Sequence, residues 1–172
     1  MYNEKIMQLF TNPKNVGHIV KADAVGKMES GMYGEVIEIS VRMDGDKIVD
    51  AKFQTYGNAV AIAVSSVATQ LIIGKTLLQC QKISDQEYID RLGEIPEKRM
   101  YCLDMMKEAL AHLNENYYER QERLAKKLGV DMEESSIDNQ QTAQSASNAM
   151  PANETSAQAI ADEEDDFAID YI

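Results

Sequence analysis

The chain has 172 residues, 44% of them hydrophobic, which is enough to bury one core and too short for two ordinary domains. Its net charge of −12 is uneven: eleven acids and no Lys or Arg follow Lys127, leaving a body of residues 1–128 close to neutral and a polyanionic tail of residues 129–172. A polyanion opposes nucleic-acid binding, no run approaches the about 20 apolar residues of a membrane span, and two cysteines are too few for a disulfide framework. The expectation is a cytoplasmic protein with free thiols that binds neither nucleic acid nor membrane.

Residues 3–10 carry Ile6, Leu9 and Phe10 at helical spacing, and Pro13 blocks any extension. A glycine-spaced stretch follows, residues 17–34. Ile37, Ile39, Val41 and Met43 then alternate with polar residues, Asp44-Gly45 makes a turn, and Val49, Ala51, Phe53 and Thr55 share a face on the way back. This predicts a β-hairpin with one buried side. Residues 59–73 are apolar nearly all round and stop at Gly74, as a buried helix with a glycine C-cap would. Residues 76–81 suit a helical turn, and Ser84-Asp85-Gln86-Glu87 is a capping-box start for a helix ending at Gly93.

After Pro96, the stripe Leu103, Met106, Leu110, Leu113, Tyr117, Leu124 and Leu128 predicts one helix of about 30 residues, roughly 45 Å long. So long a helix must overhang a domain this small, with Tyr117, Tyr118, Leu124 and Leu128 on the overhang either packing on another chain or forming a charged, frayed end. Residues 131–161 are Ser, Gln, Asn, Ala and Thr with isolated hydrophobes and are expected to be disordered. The fold class is therefore α+β: a small antiparallel sheet packed on one side by helices, a long C-terminal helix, and a disordered acidic tail.

Several ordered stretches resemble the U-type iron-sulfur cluster assembly scaffold family, which includes IscU and the N-terminal domain of NifU. They are Asn12-Pro13-Lys14-Asn15-Val16-Gly17, Lys47-Ile48-Val49-Asp50-Ala51-Lys52-Phe53, Tyr56-Gly57-Asn58-Ala59 with Ser65-Ser66, Gly74-Lys75-Thr76-Leu77, and Lys98-Arg99-Met100-Tyr101-Cys102. The resemblance implies a site where three loops meet and present three cysteines, an aspartate and often a histidine, on which a transient [2Fe-2S] cluster is built with sulfur from a cysteine desulfurase. It also implies that this chain departs from that set. Tyr33-Gly34-Glu35 stands where the family has Cys-Gly-Asp, Gly57-Asn58 where it has Gly-Cys, and Tyr101 where it has His, with Cys102 retained. The family's chaperone-recognition stretch appears as Ile95-Pro96-Glu97-Lys98-Arg99, one proline short.

One thiolate does not hold a [2Fe-2S] cluster by ordinary ligation, which takes four soft ligands. The isolated chain is therefore expected to bind no cofactor. Glu35 and Cys102 are the residual metal candidates, and a cluster or iron is expected only where ligands are shared with another chain. Cys102 lies near the start of the long helix, where the macrodipole lowers a thiol pKa and favours sulfur acceptance, the role of the matching family cysteine; an inert, half-buried thiol is the alternative. Cys80, among Leu77, Leu78 and Ile83, is read as a core thiol, and His18 and His112 as surface or interface polar groups. Tyr33, Asn58 and Tyr101 read either as a neutral cap over the old site or as drift.

No catalytic constellation and no phosphate loop is present, so a non-enzyme is expected. The reading is a scaffold-like protein that docks a cysteine desulfurase and has Cys102 as a sulfur acceptor. The alternative is an adaptor or regulator binding neither iron nor cluster. A ligand-complete scaffold or a second copy of the chain is the further partner.

Overall fold

The computed structural model describes residues 2–129; the readings made for the acidic tail lie outside the described residues. The chain runs α1 (Glu4–Thr11), β1 (Ala24–Glu29), β2 (Val36–Asp44), β3 (Lys47–Tyr56), α2 (Ala59–Ile72), α3 (Leu77–Cys80), α4 (Asp85–Leu92), a 3₁₀ turn at Glu97–Arg99 and α5 (Tyr101–Lys127). The three strands form one antiparallel sheet in the order β1-β2-β3. The α+β class is as expected. The strand β1, inside the glycine-spaced stretch, is new: its sequence, Ala-Val-Gly-Lys-Met-Glu, carries too little alternation to announce itself.

Register places Ala24, Gly26 and Met28 beside Val41, Ile39 and Ile37, and these beside Ala51, Phe53 and Thr55. This is the apolar face against which α2 and α5 pack, and most of its members are fully buried. The hairpin reading needs one correction. Pairing shifts between Arg42 and Met43, so that Arg42 faces Asp50 while Met43 faces Ile48. The bulge leaves Val49 unpaired and half exposed, and Ile48 takes the core position expected of Val49.

Helix α2 is buried over most of its surface, as its unbroken apolar run requires. Beyond its C-terminus Gly74, at φ +85°, donates its N–H to Ile48 O at 2.7 Å, tying the helix to β3. The expected capping box of Ser84 and Glu87 forms on α4, and a second one, of Thr76 and Gln79, closes α3. Asn3 caps α1 and also donates to Glu94 O at 2.7 Å, fastening α1 to the chain just past α4.

Helix α5 lies on β1. A Cβ at Gly26 would overlap the carbonyl oxygen of Ala109 and stand 2.8 Å from Leu113 Cβ, so the helix backbone rests directly on the strand. The outer edge of β1 is capped by α5 side chains: Asn116 Oδ1 accepts from Val25 N–H at 3.0 Å, and His112 Nδ1 donates to Lys27 O at 2.7 Å. Past this contact α5 runs on, with Tyr118, Leu124 and Leu128 exposed, as its length demanded. Among the described residues no helix is long and apolar enough to cross a membrane.

Candidate functional site

Three connections meet at one end of the sheet. The first is the β1–β2 turn, where Gly34 N–H donates to Ser30 O at 2.9 Å and Tyr33 N–H to Ser30 Oγ at 3.2 Å, with Gly34 at φ +65°. That turn delivers Tyr33 outward and Glu35 inward. The second is Gly57-Asn58, joining β3 to α2. Gly57 is needed because a Cβ there would press on Glu35 Cγ at 3.2 Å and Ala61 Cβ at 3.3 Å. The third is the start of α5, which brings Tyr101 and Cys102.

Asn58 lies at the centre. Its Oδ1 caps α2, accepting from Val60 N–H at 2.8 Å and Ala61 N–H at 3.1 Å. With the oxygen committed to the helix, the amide nitrogen must point the other way. There it lies 2.5 Å from Glu35 Oε1, 3.1 Å from Tyr101 Oη and 3.8 Å from Cys102 Sγ. The Asn58 N–H also donates to Glu35 Oε1 at 3.3 Å. Arg99 donates to Tyr101 Oη at 2.9 Å, and the rings of Tyr33 and Tyr101 stack at 4.6 Å between centroids.

All five positions singled out from the sequence, Tyr33, Glu35, Asn58, Tyr101 and Cys102, therefore fall in one patch. Two of them are deep: Glu35 is 6% exposed and Cys102 fully buried, whereas Tyr33 is 54% exposed. Glu35 Oε2 has no hydrogen-bond partner.

Of the two readings open for Cys102, activated acceptor and inert buried thiol, burial opposes the first. Burial pushes its thiol up to about 11; the Asn58 hydrogen bond opposes this rise and the nearby Glu35 carboxylate adds to it. A helix N-terminus lowers a thiol pKa when solvent can share the thiolate charge, and here none reaches it. Tyr101 is likewise raised to about 12, by burial and by its hydrogen bond to Glu35, against the pull of Arg99. At neutral pH the patch therefore offers a neutral thiol and a neutral phenol.

Cys80 is buried outside the patch, near Tyr88 and Leu110, its thiol also raised by burial to about 11. His18 pairs with Glu38 at 3.1 Å on the sheet surface, and neither histidine is near the patch. Arg99 and Gly57 are the site residues that sequence reasoning passed over. The Lys98-Arg99 pair just before Tyr101 was the available signal for the first.

The family model described as NifU-like N terminal domain matches residues 1–124. The chain belongs to this family. Among its curated relatives, iron-sulfur cluster assembly scaffold protein IscU 1 of Archaeoglobus fulgidus is 36% identical over 135 residues, covering 77% of this chain and 88% of that one. Nitrogen fixation protein NifU of a Nostoc species is 40% identical over 124 residues, 67% of this chain and 41% of that longer protein. A solved structure from Fervidobacterium islandicum, described as a candidate iron-sulfur cluster assembly scaffold protein for the SUF system, overlays with a TM-score of 0.53 at 26% identity, over 64% of this chain and 93% of that one. The U-type scaffold resemblance is thus confirmed as membership, and the relatives from Archaeoglobus fulgidus and Fervidobacterium islandicum are named as scaffold proteins rather than enzymes.

Within this NifU-like N-terminal domain the donor set is small. Among the described residues no three His, Cys, Asp or Glu side chains come together as a metal site, and the patch brings only Glu35 and Cys102. One thiol and one carboxylate do not fit a [2Fe-2S] cluster, whose irons take four ligands, chiefly thiolates.

Proposed function

We propose that this chain works in iron-sulfur cluster assembly as a scaffold-type docking protein: it binds a cysteine desulfurase and does not itself carry a [2Fe-2S] cluster. The observation that carries this reading is the placement of the Asn58 amide nitrogen within reach of Glu35, Tyr101 and Cys102 together. Family membership supports the pathway, and the closed patch supports the departure from cluster carriage. Of the two sequence-based readings, the adaptor gains and the sulfur acceptor on Cys102 loses ground, because a fully buried thiol held protonated is a poor nucleophile toward a persulfide. The surface offered to a partner includes Met32, 81% exposed, and Tyr33, which stacks over the patch.

A second reading is favoured by one atom. Glu35 Oε2, buried and unpaired, is a donor still to be used, as a cluster or iron held jointly with a ligand-complete scaffold or a second copy of the chain would require.

Anaerobic incubation with iron, cysteine and a cysteine desulfurase separates these. The docking reading expects a complex by size exclusion or calorimetry, a colourless chain, and an intact mass without added sulfur. Failure to form any desulfurase complex overturns it. Sulfur added to the wild type but not to Cys102→Ser restores the acceptor, and stoichiometric iron and sulfide with visible absorption establishes shared ligation.

A further inference from the structure

The patch has the form of a small cation site with the cation's place already taken. Three potential donors, Glu35 Oε1, Tyr101 Oη and Cys102 Sγ, surround one nitrogen. We propose that the Asn58 side-chain amide is the resident occupant of a cation-sized pocket, a neutral stand-in that holds Glu35, Tyr101 and Cys102 together and excludes divalent metal. The proposal rests on reading this patch as closed, and it is independent of whether a desulfurase docks.

Two features make the assignment specific. The amide cannot be turned round, because reversing it would point its N–H donors at Val60 N–H and Ala61 N–H and its oxygen at the Glu35 carboxylate. The first turn of α2 therefore dictates that a donor, never an oxygen, faces the pocket. Independently, Glu35 is more than nine-tenths buried with Oε2 unpartnered, so a carboxylate deep in the fold is compensated only in part by a neutral amide. A full positive charge at the nitrogen's position would be better matched to it. The amide fills the place a metal would take, and an N–H cannot ligate.

The test is Asn58→Asp in the full chain. Aspartate caps a helix as well as asparagine does, so α2 keeps its start, while the inward N–H₂ is exchanged for a carboxylate oxygen beside Glu35 and Cys102. Zn²⁺ is the probe, titrated against a chromophoric chelator, with melting temperature followed with and without the metal. The wild type provides the background from its acidic tail, and Asn58→Asp/Glu35→Gln the check that binding is at the patch.

The expected result is at least a 100-fold gain in Zn²⁺ affinity in Asn58→Asp over the wild type, lost in the double variant, with a Zn²⁺-dependent rise in melting temperature confined to the single variant. A folded Asn58→Asp with no gain, or a wild type that already binds Zn²⁺ as tightly through Glu35, overturns the proposal. Where two adjacent carboxylates prevent folding without metal, rescue by Zn²⁺ supports it. If that variant folds under neither condition, Asn58→Ser decides: the hydroxyl still caps the helix but leaves the pocket open, and a gain of about tenfold over wild type supports the proposal, no gain overturns it. A wild type that fails to bind a desulfurase, alongside a variant that gains Zn²⁺, removes the docking function and leaves the closed pocket standing.

Discussion

Helix α5 makes two close approaches to the rest of the molecule, and they are built in opposite ways. At Gly26 the helix backbone lies on β1 because there is no side chain between them, and the surroundings are Ala109 and Leu113. At its first turn the helix meets the sheet end through one side chain, Asn58, whose polar atoms are all engaged. The seam tolerates nothing added, whereas the patch tolerates nothing removed. An apolar contact of backbone on backbone fixes position by exclusion, and a buried amide fixes it by pairing, so errors at the two places should differ in size and in kind.

The largest effect is expected at the seam. Gly26→Val places atoms where the Ala109 carbonyl already is, and the helix must lift from the strand; a loss of about 4 kcal/mol or more, read by chemical denaturation or as failure to accumulate folded protein, is expected. A loss below about 1 kcal/mol would show that α5 slides freely on β1 and would erase the contrast.

Asn58→Ala comes next. It deletes the cap of α2 and leaves Glu35 without its amide partner, for an expected loss of about 2–3 kcal/mol. Asn58→Asp should recover the capping part, and equal losses in the two variants would show that the cap alone matters.

The smallest effect compares the two thiols, both raised to about 11, one in the patch and one outside it. Below pH 9 the folded and unfolded chains both keep these protons and no dependence arises. Between pH 9 and 11 the unfolded chain releases them while the folded chain holds them, so stability falls as pH rises, by on the order of 1–2 kcal/mol for each thiol. Tyr101, raised to about 12, adds to the fall only above pH 10. Denaturation midpoints at pH 8 and 10 should therefore converge in a variant with both cysteines replaced by alanine, and an unchanged slope would assign the dependence to other groups.

How much of this was legible before the structure follows from how local each signal is. The capping box at Ser84, the glycine stop at Gly74 and the stripe of α5 depend on residues three or four apart and were readable. Strand β1 was not, because the reason for Gly26 lies in a helix more than eighty residues away. Val49 misled for a related reason: alternation is a property of a regular ladder, and a single bulge inverts it. The five patch residues were found through family resemblance, but the choice at Cys102 between activated and inert thiol was not legible, because position on the helix favours activation and burial opposes it. Sequence gives the neighbours along a helix and omits the solvent that a thiolate needs.

The seam on β1 also bears on synthesis. Val25 donates its edge N–H to Asn116, ninety-one residues later, while β2 and β3 find each other across a two-residue turn. As the chain leaves the ribosome the hairpin can form early, but the cover over β1 consists of residues made near the end of the folded body. Until they emerge, part of the face of Ile37, Ile39 and Val41 has no helix upon it. The nascent protein thus carries a partly open sheet from the completion of β3 until α5 docks on Gly26.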